Sequence, residues 1–184
     1  MSSTPSKVTL HMVSSLDGFI ARKDNDVSWI ETPDTYERGI DLTDEQITTF
    51  LEGIDCYVMG AKTYEHALAL GWPYGNKPVI VLTRRPLKSA RVNVSFYKGN
   101  LEKLVTDRLK PAYKNIWVVG GAVIARDLLR ARLVDEIIVT VKSMLLGEGL
   151  LFFDYIGVEQ PLHLKDVTAY KNGMVELWYE VKRN

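Results

Sequence analysis

The stretch VVGGAVIARDLL, residues 118–129, constrains the fold more than any other feature: a β-branched run stops at two glycines and an apolar helical pattern starts directly after them. That order predicts strand, tight turn, helix. Paired glycines let backbone N–H groups approach a ligand without a Cβ in the way, and the helix start beyond them favours negative charge, so a phosphate or pyrophosphate can sit there. The same residues also suit a helix start that simply needs glycine, and the motif alone leaves both readings open.

A chain of 184 residues, 46% of them hydrophobic, is expected to form a single domain, 1–184. A domain of that size buries roughly 70% of the surface its unfolded chain exposes, enough for a core and a ligand cleft. Lysine plus arginine and aspartate plus glutamate stand at 23 each. No global field therefore draws in nucleic acid or an anionic membrane, and any anion recognition has to be local. The one cysteine, Cys56, excludes a disulfide within the chain and reads as a small core residue. The opening MSSTPSKVTLHMV has no apolar signal core, and no apolar run reaches membrane-spanning length, so the expectation is a soluble, cytoplasmic protein.

Strand-like and helix-like segments alternate at short intervals, which is an α/β pattern. Strands are expected over residues 8–13, 56–59, 79–82, 92–97 (an edge), 116–119, 133–141, 162–170 and 175–181. Thr43 can cap a helix running to about Gly53, with Gln46 completing a capping box and Ile47, Phe50 and Leu51 forming its apolar face. Further helices are expected over 63–69 and 101–109, the second closed off by Pro111, and after the glycine pair. Asn172-Gly173 between alternating segments signals a hairpin. The sum is a mixed, mostly parallel central sheet flanked by helices on both faces, with an antiparallel carboxy-terminal hairpin.

Ligands collect beyond the carboxyl ends of strands in such sheets. The residues there share a theme: Ser14-Ser15-Leu16-Asp17-Gly18, Gly60-Ala61-Lys62-Thr63, Thr83-Arg84-Arg85 and Gly120-Gly121. Lys62 or Arg84 can pair with a phosphate, Thr63 and Thr83 can donate hydroxyl hydrogen bonds, and the glycine turn can supply backbone donors. His11, His66 and His163 show no metal-ligand spacing, and no metal is expected; His11 and His163, within strands, read as structural. A nucleophile elbow, a dinucleotide GxGxxG and a P-loop are all missing from the sequence.

Six pieces, in order, carry a family resemblance over nearly the whole chain: SLDGFIA, VMGAKTYE, VIVLTRR, WVVGGAVIARDLL, LVDEIIVTV and LLGEGLLFF. Together they resemble the dihydrofolate reductase-like superfamily, and within it the branch similar to the reductase domain of bacterial riboflavin biosynthesis. The resemblance implies NADPH as hydride donor. It places Gly60, Lys62 and Thr63 along the adenosine and pyrophosphate path, and Thr83 and Arg84, next to Leu82, near the 2′-phosphate. Val119, Gly120, Gly121, Ala122 and Val123 would hold the pyrophosphate, and Ile20 and Ala21 would cover the nicotinamide. Thr140 would floor a substrate cleft completed by Val13, Ile47 and Phe50.

Departures from the folate-reducing pattern argue against folate as substrate. Ala61 stands where an arginine usually clamps phosphate, Ala125 where an aromatic often follows the glycines, and Asn76 near the expected tail-binding arginine. The proton donor is open between Asp17, which also suits an Asx-type turn, and Glu45, with Asp44 and Gln46 as neighbours in an uncertain register. The loop from Arg22 to Trp29 can close over the ring or be a plain loop, and Trp72 and Tyr74 can wall a heterocycle or anchor their own loop. The expected activity is hydride transfer to a small pterin-like or pyrimidine-like heterocycle. Alternatives are a pyrimidine reductase of riboflavin biosynthesis acting on a phosphoribosyl substrate, with Arg22, Lys23 and Arg38 as weak candidates for its phosphate, and a non-catalytic binding module. A homodimer is expected, through residues 136–141 or the hairpin with Trp178 and Tyr179.

Overall fold

A computed structural model describes residues 5–183; the first four residues, where the export-signal reading begins, and Asn184 lie outside the described residues. One eight-stranded sheet organises the molecule in the order β5-β4-β3-β6-β1-β7-β10-β9. Its strands are β1 (Lys7–Ser15), β3 (Cys56–Gly60), β4 (Val79–Leu82), β5 (Val94–Tyr97), β6 (Asn115–Gly120), β7 (Glu136–Lys142), β9 (Leu162–Ala169) and β10 (Val175–Val181). All neighbours from β5 to β7 run parallel, and β10 and β9 add an antiparallel pair at one edge. The α/β architecture matches the sequence expectation. A two-stranded ribbon of β2 (Phe19–Ala21) and β8 (Leu150–Leu151) is an addition, too short to leave a periodic signal.

Strand pleating sends alternate residues to two cores. On one face Val8, Leu10, Cys56, Val58, Ile116 and Val118 pack beneath Ala125, Leu128 and Leu129 of helix α5 (Ala122–Arg130). On the other, Tyr57, Met59, Val79 and Val81 pack beneath Tyr64 and Ala67 of α2 (Ala61–Ala69). Burial pushes the Cys56 thiol up to about 12, leaving it an inert core group.

Helix α1 (Asp44–Glu52) has no buried residue and is held by its ends. Thr43 and Gln46 form the expected capping box, and Lys77 Nζ donates to the carbonyls of Leu51, Glu52 and Ile54 at the other end.

Several boundaries differ from the sequence reading, and three have a visible cause. Strand β7 starts at Glu136 rather than 133, because Leu133 N–H closes the end of α5 on Leu128 O and Asp135 takes the Val8 N–H on its carboxylate. Strand β5 begins at Val94, since Val92 is fully exposed. Pro111 does not stop its helix: after α3 (Leu101–Leu104) the chain widens into a π stretch (Val105–Leu109), where Lys110 N–H reaches Val105 O, and α4 (Lys110–Ala112) carries the proline in its first turn. A proline costs a helix nothing where its missing N–H is not required. The closing hairpin turns at Tyr170–Met174, with Gly173 at φ +76.

Candidate functional site

Three adjacent parallel strands, β4, β3 and β6, end side by side at Leu82, Gly60 and Gly120. Helices α2 and α5 begin immediately after two of those ends, with Gly60 and Gly121 as N-caps and no side chain capping either helix. Their first N–H groups are left for a ligand or water. The corners touch: a Cβ added at Gly60 would sit 3.3 Å from Ile124 Cδ1, and Cβ atoms at Gly120 and Gly121 would lie 3.9 and 3.8 Å from Thr63 Oγ1. Gly120 has φ +135, a conformation that L side chains rarely adopt, and the Gly120–Gly121 peptide is cis.

Thus Gly60, Thr63, Gly120 and Gly121 converge, with Leu82, Val119 and Ala122 adjoining them along the chain or the ladder. Lys62 and Arg84 are exposed at this end and join none of the ion pairs among the described residues, whereas Arg85 is paired with Glu65 at 2.8 Å. Thr83 Oγ1 is engaged locally, accepting from Arg85 N–H. Val123 is exposed on the first turn of α5. Ile20 packs against the main core, and Ala21 is buried in the β2–β8 ribbon.

A second cluster lies farther along the sheet, on the face that carries α1 and α2. Register aligns Val13, Thr140 and Glu176 in one row across β1, β7 and β10. His11, two residues before Val13, stacks on Trp117 with centroids 4.9 Å apart, and Phe50 of α1 meets both rings edge-on at 5.3 and 5.4 Å. Thr140 Oγ1 donates to Glu176 Oε2 at 3.2 Å and lies 3.5 Å from His11 Nε2. Tyr170 Oη donates to Glu176 Oε1 at 3.5 Å.

Burial lowers the His11 imidazole to about 4, and its Nδ1 is buried without a hydrogen-bond partner. Burial and the nearby Asp166 charge raise the Glu176 carboxyl, against the pull of the two hydroxyls. His11 Nε2 is 3.7 Å from Glu176 Oε2. With the imidazole neutral near pH 7, this is a polar contact rather than an ion pair. Ile47 sits one turn before Phe50 on α1, exposed on the same side of the helix.

Neither proposed proton donor joins this cluster. Asp17 accepts Ser15 Oγ at 2.5 Å and the N–H groups of Leu146 and Gly147 at 3.1 and 2.7 Å, and these bonds hold its carboxyl below the usual range. Its carboxylate ties the loop after β1 to the loop after β7, a long-range anchor and not an Asx turn, since the Phe19 N–H two residues on goes to Ser15 Oγ instead. Glu45 is exposed five residues before Phe50, on another side of the helix, and Gln46 is consumed by the capping box.

Trp72 is buried and donates Nε1–H to Gly75 O, with Tyr74 edge-on at 5.5 Å, so both anchor their loop. Sequence reasoning took His11 as structural and passed over Trp117, Tyr170 and Glu176. Alternation would have put His11 and Val13 on one face of β1, but their company depends on a strand pairing that no spacing reveals.

The family profile described as "RibD C-terminal domain" matches residues 6–175. The chain is 32% identical over 176 residues to the uncharacterised protein YwjB of Bacillus subtilis (strain 168), covering 94% of this chain and 97% of that one. A candidate riboflavin biosynthesis protein from Shewanella sp. PV-4 superposes with a TM-score of 0.83 at 24% identity, over 96% of this chain and 99% of that chain. A pyrimidine reductase-like protein from Corynebacterium diphtheriae gives a TM-score of 0.63 at 18% identity, over 97% and 93%. With the profile running almost from end to end and the sheet order and glycine corners in place, this chain belongs to the RibD C-terminal domain family, a reductase-like family.

Proposed function

We propose that this protein is a reductase that takes NADPH and reduces a small pterin-like or pyrimidine-like heterocycle. The observation that carries the reading is the joining of two uncapped helix starts through Gly60, Thr63, Gly120 and Gly121. N–H groups at such starts suit a pyrophosphate, and the two unpaired cations, Lys62 and Arg84, suit a further phosphate. The residues present therefore fit the dinucleotide, which when bound supplies the hydride.

The chain's own contribution is orientation and exclusion of water. Glycines let the backbone approach the phosphates closely, Thr63 adds a hydroxyl donor, and the His11–Trp117–Phe50 wall gives a planar ring an apolar side. Asp17 takes no part in proton transfer on this reading. It fixes the loop over the end of β1.

A phosphoribosyl substrate is the weaker alternative. Arg22 is paired with Asp26 and Lys23 with Glu148, so two of its three candidate cations already face a carboxylate, and Arg38 lies over the Tyr36 ring. We also propose self-association through the closing hairpin. β7 is flanked by β1 and β10 and offers no edge, while Leu164, Val167 and Val175 are exposed on β9 and β10.

Titration with NADPH and NADH tests the reading. Saturable NADPH binding, tighter than NADH, with turnover of a quinonoid pterin or an oxidised pyrimidine is expected. Failure of both nucleotides to bind at millimolar concentration would leave a non-catalytic module. Light scattering after size exclusion reads the oligomer, and a monomer at all concentrations removes the dimer.

A further inference from the structure

We propose that Glu176 is the residue that holds the substrate, and that it selects a ring edge presenting adjacent N–H and NH2 donors, as in an aminopyrimidine. The proposal rests on the reading of the cluster beneath α1 as a substrate site and names the chemistry that site accepts.

Two partly buried carboxylates in this half of the sheet make the contrast. Glu136 on β7 is compensated by Lys7 at 2.7 Å, Lys165 at 2.8 Å and the Trp178 Nε1–H at 3.2 Å. Its carboxyl is held below the ordinary value despite burial. Among the described residues Glu176 has no such compensation. Its partners are the hydroxyls of Thr140 and Tyr170, and the nearest basic group, His11, is the buried imidazole described above. On the neighbouring strand β9, Asp166 adds a like charge.

A carboxylate accepts about four hydrogen bonds, and here each oxygen has received one, so each oxygen keeps one place open. The side chain is 24% exposed, enough to be reached. If Thr140 gives its only proton to Glu176, the His11 Nε2–H faces the Thr140 oxygen, and the imidazole's acceptor, Nδ1, is enclosed away from any ligand, which leaves the Glu176 oxygens as the acceptors a ligand can reach. The cluster is rich in acceptors and poor in donors. Buried polar groups in that state favour a ligand that brings the missing donors, and two parallel N–H groups match a carboxylate in bidentate fashion. The stacked His11 and Trp117 rings and the Phe50 edge beside them favour a flat ring. A phosphate or carboxylate on that edge would meet Glu176 with like charge and is excluded.

The test uses 2-aminopyrimidin-4-one as donor-bearing probe and 1,3-dimethyluracil, which has no N–H, as control, with binding followed by ligand-observed NMR and titration calorimetry on the full chain. The first should bind saturably and the second should not, and Glu176→Gln should weaken the first by about tenfold because a charge-assisted pair becomes neutral and one oxygen becomes a donor. NADPH affinity of Glu176→Gln should stay at the wild-type value. Should that variant fail to fold by circular dichroism, Glu176→Asp, which keeps the charge but draws the carboxylate back by one methylene, gives the second readout, an expected weakening of the aminopyrimidinone with no gain in dimethyluracil binding.

Equal binding of both probes, no binding of the aminopyrimidinone to the wild type, or unchanged affinity in the variants overturns the proposal. If NADPH does not bind but the aminopyrimidinone binds through Glu176, the reductase reading fails and this one stands.

Discussion

At the carboxyl ends of β4, β3 and β6, Gly60, Thr63, Gly120 and Gly121 each belong to a strand end or to the start of the helix that follows it. In the cluster beneath α1, His11, Thr140, Glu176 and Tyr170 come from β1, β7, β10 and the hairpin turn. The first half is made of backbone: glycine corners, uncapped N–H groups, a positive φ. The second is made of side chains that strand register brings together, under a helix with no buried residue. Local chain geometry therefore fixes the first half, whereas long-range pairing fixes the second.

The largest effect that distinguishes the halves is acid sensitivity. His11 is held at about 4 in the fold and returns to 6.5 when unfolded, so the unfolded chain binds an extra proton across that interval. Stability is full above about pH 6.5 and falls as pH drops towards 4, by roughly 3 kcal/mol from this one group. Urea midpoints between pH 7 and 4, compared with those of His11→Gln, should show a shallower slope in the variant, and equal slopes would remove His11 from the account.

At the other end, Gly120→Ala forces a Cβ onto φ +135, at an expected cost of about 1–3 kcal/mol, and should weaken NADPH more than tenfold while leaving the aminopyrimidinone probe unaffected. Loss of both ligands together would mean that the halves are not separable. Phe50→Ala should do the reverse. Its ring is 41% exposed, so melting should move little, while the substrate KM rises by about fivefold and NADPH affinity holds. Smaller still, Lys77→Met removes the cation that holds three carbonyls at the end of α1, and hydrogen exchange should quicken in that helix but not in α2 or α5.

The smallest change is expected from Asp17→Asn. Its carboxyl is held low by hydrogen bonds, so the loop anchoring is present above the ordinary aspartate range and is lost as pH falls through the lowered value. The variant should show faster proteolysis around residues 145–149 with no shift in the pH–rate profile, whereas a shifted profile would restore Asp17 as a proton donor.

Much of this arrangement was legible in the residues. The glycine pair, the Thr43–Gln46 capping box and the Asn172-Gly173 turn are local signals, and each formed at its expected place. Asp17 read equally well as turn or acid, because a carboxylate beside glycine suits both; its three hydrogen bonds from Ser15, Leu146 and Gly147 make it an anchor between two distant loops, which no local pattern announces. Glu45 rested on position within a helix whose apolar face was correctly anticipated, yet helical periodicity turns it away from Phe50. His11 read as structural because a lone histidine in a strand carries no sign of what will stack on it.

By itself the sequence determined the alternation of strands and helices, the places where the backbone needs glycine, and the helix starts left without a side-chain cap. These depend on residues within a few positions of one another, where sterics and local hydrogen bonding decide. Only the tertiary structure decided that β1 lies between β6 and β7 and that the closing hairpin turns back against β7, and with that order came the meeting of His11, Thr140 and Glu176. A strand's pattern states which face is buried, but not which strand will be its neighbour, because many pairings bury the same apolar area and only the folded chain selects one.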